Sequence, residues 1–327
     1  MDTNKNWKEK WGWSDGIKYL IKELKKRKKG IAVAYYAIDA GVCLMKYGAT
    51  FHDYINLRFY MRNKNERKTF LTTQIVGNEK KKWNQDDIRR IDNKLEFNLL
   101  YPEYMGRDFI DLDNTDYEEF ESFIHKYNDF FIKPKRESSG IGIMRYKDSD
   151  IEDTQAFFKK VNHRGFIAEE TVTICDELKQ LNPESISQIR VVTVCSTDGS
   201  IHILATTLRT GGQNTVFNSA KDDIFAQIDI ESGLVFTDGI DENGVLYKKH
   251  PISGIEFKGF RIPNWEEIKD ICSKAAKKMP TVRVIGWDVT LTDKGCIFFE
   301  GNPGSGVASM QIADGIGKKD LFLKYLS

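Results

Sequence analysis

The first 90 residues and the remainder of the chain differ in how their hydrophobic positions are spaced. In the first part, aromatic and aliphatic residues recur every three or four positions, from Tyr54 to Met61 and again from Phe70 to Ile75. This spacing is typical of amphipathic helices, and the region has few glycines and no strong strand pattern. We therefore predict that residues 1–90 form a helical N-terminal region.

An apolar run within this region extends from Ile31 to Met45. A helix needs about 20 apolar residues to cross a bilayer. This run is shorter and contains Asp39, so we expect a buried helix and no transmembrane segment. The preceding segment Lys22–Lys29 ends a helix that Ser14 would cap, and its lysines lie at the favourable end of the helix dipole. The alternative role for these lysines is peripheral contact with an anionic membrane surface.

After Asp92 the pattern changes, and from Phe130 onward it consists of short β runs separated by turns rich in glycine or aspartate. Helical patterns lie between the strands, at residues 113–127, 150–161 and 265–279. Strands that alternate with helices and form many hairpins favour an α+β architecture with two sheet-bearing subdomains over a doubly wound parallel sheet. We place these subdomains at residues 91–165 and 166–327.

A β-hairpin is predicted within the segment Val284–Gly306. We expect residues 293–295 to form a three-residue turn with Gly295 in the left-handed conformation, so that Thr292 pairs with Cys296. Side chains then alternate between the two faces of the hairpin, and one face is wholly apolar. Its members are Trp287, Val289, Leu291, Ile297 and Phe299.

The other face of this hairpin carries Asp288 directly opposite Glu300, with Asn302 beside Glu300. Two opposed carboxylates repel each other at a cost of ~1 kcal/mol or less, which favours a cation between them. Three oxygen ligands without histidine or cysteine suit Mg²⁺, with Mn²⁺ as the alternative metal. The simpler interpretation is a polar face exposed to solvent, but the wholly apolar opposite face favours a metal site.

A second group of residues is suited to binding phosphate. Lys133 ends the apolar strand FFIKP, and the loop that follows it, residues 135–142, contains Ser138, Ser139 and Gly140. Small side chains leave backbone N–H groups free to hold phosphate oxygens, and the lysine adds a positive charge. The loop matches neither the P-loop pattern nor G-x-G-x-x-G, and a surface hairpin is the alternative. Beside a magnesium site, we interpret it as the cover over a triphosphate.

Two further segments place charged residues at the ends of predicted strands. Glu169 and Glu170 end the run GFIAEE, where main-chain groups would read a purine while the carboxylates bind amino and hydroxyl groups; a surface glutamate pair is the alternative. Arg209 ends another strand and is followed by Asn218. Arg190 lies in a strand of otherwise apolar residues, where it either pairs within the core or faces an anion.

Composition narrows the classes of function. The chain has 327 residues and a net charge of +1, which gives no electrostatic basis for binding nucleic acid. Five cysteines and five histidines are scattered along it, so we expect neither a disulfide framework nor a zinc site. The polar N-terminus lacks the pattern of a secretory signal, and reduced thiols fit the cytoplasm, where we expect the protein to act.

The order of these segments resembles that of the ATP-grasp superfamily over roughly residues 92–306. The matching positions are Lys94, Lys133 with its loop, Glu169, Arg209, Asn218, Asp288 and Glu300-x-Asn302. The subgroup associated with sugar transfer and surface-polysaccharide gene clusters is the most similar, because it shares the helical N-terminal region and a run like Asn182–Thr193. The resemblance implies the ATP-grasp fold, in which two α+β subdomains clasp ATP, preceded here by the helical region.

The resemblance also implies which residues bind the nucleotide. Lys94 and Lys133 would contact the α- and β-phosphates. Glu169, followed by Glu170, would hold adenine at the hinge between the subdomains. Either Asp176 or Glu177 would bind the ribose hydroxyls, and the sequence does not decide between them.

At the reacting end, the resemblance implies that Asp288, Glu300 and Asn302 hold Mg²⁺ between the β- and γ-phosphates. Arg190 and Arg209, with Asn218, would act on the transferred phosphoryl group or the acyl-phosphate. One departure from the family pattern lies directly after Asn218, where residues 219–223 replace the usual Gly-Gly pair. This change affects the identity of the substrate more than the binding of ATP.

We therefore expect an ATP-dependent carboxylate–amine ligase that acts through an acyl-phosphate. Its substrates would be a small-molecule carboxylate and an amine, such as a sugar acid, aminosugar or amino acid used in surface-polysaccharide or cell-envelope biosynthesis. The helical N-terminal region would shape the acceptor pocket. The alternatives are a kinase on the same scaffold that phosphorylates a hydroxyl, and a nucleotide-binding regulator without turnover.

Overall fold

The structure is a computed structural model that describes residues 13–84, 87–137, 141–212, 223–241, 244–304 and 309–326. Within these ranges the chain forms twelve α-helices and eleven β-strands. The strands make two separate sheets, one of four strands and one of seven. Both sheets are antiparallel throughout. The α+β prediction is therefore confirmed.

Seven helices precede the first strand, and five of them lie wholly within the predicted helical region of residues 1–90. The seven are α1 (Trp13–Arg27), α2 (Ile31–Tyr47), α3 (Phe51–Asn56), α4 (Lys64–Lys68), α5 (Thr73–Trp83), α6 (Ile88–Ile91) and α7 (Lys94–Leu100). Two of them begin with a capping box, in which the N-cap side chain and the residue three positions on satisfy each other's backbone N–H groups. Thr50 and Asp53 do this for α3, and Asn63 and Glu66 do it for α4.

The N-terminal helices share a core with the edge of the larger sheet. Leu20, Tyr54 and Phe59 are fully or almost fully buried in one hydrophobic cluster, which also contains Ile240 from the sheet and Ile312 near the C-terminus. The helical region is thus packed onto the rest of the molecule.

The apolar run in α2 differs from its prediction as a buried helix. Ala40, Cys43 and Tyr47 are buried on one face. The opposite face is exposed, and its large apolar members are Ile31, Tyr35, Ile38, Val42 and Met45. Hydrophobicity alone does not show whether the protein covers one side of a helix or all of it, and here it covers one side. None of the described helices is both long enough and apolar enough to cross a membrane.

The smaller sheet has the strand order β1-β4-β2-β3. Its strands are β1 (Phe109–Asp111), β2 (Asp129–Pro134), β3 (Met144–Lys147) and β4 (Phe166–Glu170), and the helices beside it are α8 (Tyr117–Tyr127) and α9 (Thr154–Val161). Phe120 and Ile124 of α8 pack on Phe130 and Ile132 of β2. Because β4 pairs with β1 and β2, this sheet extends beyond the predicted subdomain boundary at residue 165.

The larger sheet has the order β11-β10-β5-β6-β7-β8-β9. Its strands are β5 (Gln188–Cys195), β6 (Ile201–Gly211), β7 (Asp223–Gln227), β8 (Gly239–Asp241), β9 (Leu246–Tyr247), β10 (Val284–Thr292) and β11 (Gly295–Pro303). The remaining helices are α10 (Asp176–Leu181), α11 (Trp265–Lys277) and α12 (Lys319–Leu326). In β5, Val191 packs with the α11 side of the sheet, whereas Val192 and Val194 pack with Phe322 of α12. The two-residue period of a strand thus explains why β5 is apolar on both faces.

Candidate active site

The predicted hairpin is formed by β10 and β11, and Asp288 does lie opposite Glu300. The turn that leads to this pairing differs from the predicted one. Thr292 pairs with Gly295, so the turn has two residues instead of three, and Gly295 has a φ of 112°. A β-bulge then restores the register, because Asp288 pairs with Glu300 but Val289 pairs with Phe298.

The shorter turn shifts the pairing between the turn and the bulge by one residue, so Cys296 and Phe298 take the places predicted for Ile297 and Phe299 on the apolar face. Phe298, not Phe299, joins the apolar face, where its ring stacks on Trp287 at a centroid distance of 5.2 Å. Phe299 instead lies beside the charged groups of the smaller sheet. The guanidinium of Arg107 is 5.3 Å from its ring centroid and the ammonium of Lys133 is 6.0 Å from it.

Asp288 lies between two charged neighbours in a row that crosses the larger sheet. On β5 it is paired with Arg190, and on β11 it is paired with Glu300. Arg190 makes a two-pronged contact with Asp288, from Nε to Oδ1 and, at 2.6 Å, from Nη2 to Oδ2. On the other side of Arg190, Thr207 has a buried hydroxyl that finds no hydrogen-bond partner among the described residues.

Glu300 differs from Asp288 in having no such cationic partner among the described contacts. The Asn302 amide donates to Glu300 Oε1 at 3.1 Å and to Asp288 Oδ2 at 3.3 Å. Burial, and then the charge of Asp288, raises the pKa of Glu300, although Lys94 and Arg190 oppose this shift. The negative charge of Glu300 is therefore only partly compensated.

These three side chains fit a divalent cation. Asp288 and Glu300 offer carboxylate oxygens, and Asn302 offers an amide oxygen if its nitrogen turns away from them; all are donors that Mg²⁺ prefers. Among the described residues no cluster of three or more His, Cys, Asp or Glu side chains is suited to a metal, so a third side-chain ligand beside Asp288 and Glu300 would be the Asn302 amide. A cation would offset the uncompensated charge of Glu300. Arg190 leaves lone pairs on both oxygens of Asp288 for a metal.

Arg209 adds positive charge to the same area. Its Nε donates to Asp223 Oδ2 at 2.5 Å. Burial disfavours its charge, but Asp223, Asp288 and Glu300 together raise the pKa of Arg209. Arg209 is thus held as a cation close to the two predicted metal ligands.

A second buried charge cluster lies on the smaller sheet and is centred on Glu169. Its carboxylate is 1% exposed and contacts Arg107 at 3.0 Å and Lys133 at 2.6 Å. Asn98 of α7 also donates to it, at 2.9 Å. Arg107 and Lys133 overcome the effect of burial and hold the pKa of Glu169 far below its usual range. Burial lowers the pKa of Lys133, a shift that Glu169 opposes.

Arg107 links this cluster to the hairpin of β10 and β11. Besides binding Glu169, its Nη1 donates to the Phe298 carbonyl at 2.5 Å, and its Nη2 donates to the Phe299 carbonyl at 3.4 Å. It therefore binds the backbone at the β-bulge that sets Asp288 opposite Glu300. Sequence reasoning missed this residue, because nothing in Gly106-Arg107-Asp108 distinguishes a buried arginine from an ordinary turn.

Lys94 is buried at the start of α7, where Asn93 caps the helix through the Leu95 and Glu96 backbone N–H groups. Its ammonium donates to the Glu137 carbonyl, and its backbone N–H donates to the Lys135 carbonyl at 2.9 Å. Lys94 thus lies at the base of the predicted phosphate loop. Since it also lowers the pKa of Glu300, it lies within electrostatic reach of the hairpin.

A family model for sugar-transfer associated ATP-grasp proteins matches residues 79–324, about three quarters of the chain. The chain belongs to this ATP-grasp family. The predicted ATP-grasp fold, with a helical region before the family domain, is therefore confirmed. No curated protein matches the chain in sequence.

Solved structures match the chain only distantly. The ATP-grasp ligase PsnB in complex with a minimal precursor is 13% identical over 71% of this chain and 58% of its own, with a TM-score of 0.45. The N5-carboxyaminoimidazole ribonucleotide synthetase purK, in its ADP complex, is 13% identical over 65% of this chain and 45% of its own, with a TM-score of 0.41. D-alanyl-alanine synthetase A from Vibrio cholerae is 12% identical over 68% of this chain and 58% of its own, with a TM-score of 0.41. The chain thus spans less than two thirds of the length of these three structures.

Of the other site residues that the ATP-grasp resemblance implies, three lie within the part of the chain that the structure describes. Glu170 accepts a hydrogen bond from the Asp108 backbone N–H at 3.0 Å. Asp176 and Glu177 are both exposed in the first turn of α10, which leaves the choice between them open. Ser138, Ser139, Gly140 and Asn218 lie outside the described residues.

The ATP-grasp chain also contains a cavity of about 390 Å³ between the N-terminal helices and α12. None of the predicted ATP-site residues that the structure describes lines it. Its described lining includes four cationic residues and no carboxylate; the cations are Lys46, Arg67, Lys68 and Lys319. The cavity is therefore suited to an acidic group.

Proposed function

We propose that the protein is an ATP-dependent carboxylate–amine ligase. The observation that carries this proposal is the row of Arg190, Asp288 and Glu300 across three strands, in a chain that belongs to the ATP-grasp family. A buried and a half-buried carboxylate beside two arginines suit a phosphoryl group that is held by a metal and transferred between two oxygen atoms.

The reaction has two steps. An oxygen of the substrate carboxylate attacks the γ-phosphorus of ATP, the bond to the β,γ-bridging oxygen breaks, and ADP leaves. The amine nitrogen of the second substrate then attacks the acyl carbon, phosphate leaves, and the amine loses a proton. Arg190 and Arg209 neutralise charge on the phosphoryl oxygens in both steps.

Asp288, Glu300 and Asn302 would hold the divalent cation, which is Mg²⁺ or, as an alternative, Mn²⁺. When bound, this ion draws charge from the phosphate oxygens. A structure of the ligase PsnB has Mg and ADP bound, which agrees with this choice of cofactors.

Lys133 and Lys94 bind the phosphates closer to the nucleoside. The contacts of Glu169 support a different role for this residue from the adenine contact that the family resemblance implies. Its carboxylate is occupied by Lys133, Arg107 and Asn98, so we assign it to positioning Lys133. Adenine then lies along the backbone that follows Glu170, and Asp176 or Glu177 takes the ribose hydroxyls.

The substrates are a small carboxylate and an amine, of which one is a sugar acid, an aminosugar or an amino acid used in cell-envelope or surface-polysaccharide assembly in the cytoplasm. The family description as sugar-transfer associated supports a sugar-linked acceptor.

The test is release of ADP from ATP and Mg²⁺ with sugar acids, aminosugars and amino acids, supplied singly and in pairs, with mass spectrometry of the products. A ligase releases ADP only when a carboxylate and an amine are both present, and its product is lighter than the two substrates by one water. A product heavier by one phosphate, formed from a single hydroxyl acceptor, would make the protein a kinase and contradict the proposal.

A further inference from the structure

The exposed face of α2 is an unusual feature of the molecular surface. Five large apolar side chains on it, between 43% and 90% exposed, recur at intervals of three or four residues over the helix. They are Ile31, Tyr35, Ile38, Val42 and Met45, and we call them the α2 stripe. Apolar side chains at this spacing cover one continuous face of a helix. Such a face is normally in contact with the rest of the protein, a partner or a membrane.

The orientation of this helix is fixed by its other face. Cys43 is buried, and Asp39 is bonded to Arg67 at 2.7 Å and to the Tyr54 hydroxyl at 2.7 Å. Rotation of the helix to bury the stripe would break these contacts. Asp39 is also the only charged residue between Ile31 and Met45, so the exposed face is uncharged along this length.

The surface next to the stripe is strongly basic. Between Lys22 and Tyr47 there are seven lysines and arginines but only two acidic residues, in a chain whose total charge is +1. Both acidic residues are already paired, Glu23 with Lys26 and Arg27, and Asp39 with Arg67.

Three lysines near the C-terminal end of α1 remain available for an external anion. Within the part of the chain that the structure describes, none of Lys22, Lys25 and Lys29 forms an ion pair, and all three are exposed. At the other end of α2, Lys46 follows Met45 and is also exposed. The stripe therefore has positive charge at both ends.

We propose that α2 binds flat on the surface of a lipid bilayer that contains anionic lipids. The stripe enters the boundary between headgroups and acyl chains, while the lysines at its two ends contact the negatively charged headgroups. With 17 residues, α2 lies in the plane of the membrane and does not cross it.

Charge favours a membrane over a second copy of the chain. In a symmetric dimer across the stripe, parallel helices would bring Lys29 against its own copy, and antiparallel helices would bring it close to Lys46. Like charges would meet in both cases. An anionic lipid surface complements the same charges.

The test is sedimentation of the full chain with vesicles of phosphatidylcholine alone and of phosphatidylcholine mixed with phosphatidylglycerol. We expect binding to the mixed vesicles and at least tenfold weaker binding to neutral ones. Lys25→Glu/Lys29→Glu should weaken binding, by roughly fivefold or more for each lysine removed. Its matched control is Lys81→Glu/Lys277→Glu, which changes two exposed lysines elsewhere and should bind like the wild type.

The apolar part of the surface is tested separately with Ile31→Asp/Ile38→Asp. Both side chains are exposed, so thermal unfolding should not change, whereas vesicle binding should fall at least tenfold. Ile316→Asp is the control, because Ile316 is 59% exposed at a distant position in the sequence.

Three results would overturn the membrane proposal. Equal binding to neutral and anionic vesicles, or none to either, would exclude the charge complementarity on which it rests. Undiminished binding by Ile31→Asp/Ile38→Asp would exclude the stripe. Sedimentation velocity showing a dimer that the same variant dissociates would assign the face to a second copy of the chain.

Discussion

Two glutamates, the buried Glu169 on the smaller sheet and the half-buried Glu300 on the larger one, are in opposite electrostatic states. Two cations and an amide surround Glu169, and the cations hold its pKa far below the usual range. Burial and an opposed aspartate raise the pKa of Glu300. A carboxylate whose charge is neutralised by cations of the protein stabilises the fold. A carboxylate with too few cations beside it is suited to binding a metal ion that arrives with the substrate.

Glu300→Gln should have the largest effect on activity. It removes the charge of a proposed metal ligand while keeping the shape of the side chain, so turnover should fall by ~10²–10³-fold or more. The free energy of unfolding should stay the same or rise, because the repulsion between Asp288 and Glu300 disappears. Steady-state ADP release and denaturant unfolding of the same preparation measure both effects. Turnover at the wild-type rate would eliminate the metal assignment.

Glu169→Gln should instead have its main effect on stability. It leaves Arg107 and Lys133 buried without their shared anion, so the free energy of unfolding should fall by ~3 kcal/mol or more. Denaturant unfolding at neutral pH measures this loss, and Glu170→Gln on the same strand is the matched control. If Glu169→Gln were as stable as the wild type, the comparison between the two glutamates would fail.

Lys133→Ala should have a smaller effect, directed at the nucleotide. Loss of a charge-assisted contact to phosphate should weaken ATP binding by roughly tenfold. Isothermal titration with ATP checks this, and Lys126→Ala, which changes an exposed lysine of α8, should leave the affinity unchanged. Equal affinities in Lys133→Ala and the wild type would contradict the assignment of Lys133 to phosphate.

The pH dependence of stability should give the smallest signal. Because the pKa of folded Glu169 lies well below its ordinary value of 4.5, the unfolded chain binds more protons in acid. The stability that Glu169 contributes is therefore complete above 4.5 and is lost as the pH falls toward the folded pKa. Unfolding at several pH values should show the gap between wild type and Glu169→Gln narrowing below about pH 4.5. A gap that stays constant in acid would show that the ion pair is not its origin.

The sequence predicted the opposed carboxylates correctly, but it predicted the wrong length for the turn between the two strands. Asp-Lys-Gly suits a three-residue turn, and that turn would have placed Asp288 opposite Glu300 without a bulge. The protein instead uses a two-residue turn and inserts Phe299 as the extra residue. Since Arg107 binds the carbonyls on both sides of this position, the bulge depends on a residue about 190 positions away, which local patterns cannot reveal.

Roles that depend on tertiary contacts were the hardest to predict. The position of Glu169 at the end of a strand was clear from the sequence. Its partners Asn98 and Arg107 are 71 and 62 residues away in the sequence, and their hydrogen bonds hold its carboxylate in the interior. Similarly, the apolar character of α2 was evident, but only the packing of its neighbours shows which face remains uncovered.

Binding of a divalent cation by Asp288, Glu300 and Asn302 is tested most directly by electron paramagnetic resonance of Mn²⁺. Titration of the protein with Mn²⁺ in the presence of ADP should show one bound ion per chain in the wild type and in Glu256→Gln, which changes an exposed glutamate. Binding should be lost, or weakened at least tenfold, in Glu300→Gln. Equal Mn²⁺ affinity in Glu300→Gln and the wild type would contradict the account, because the uncompensated charge of Glu300 would then have no part in binding the ion.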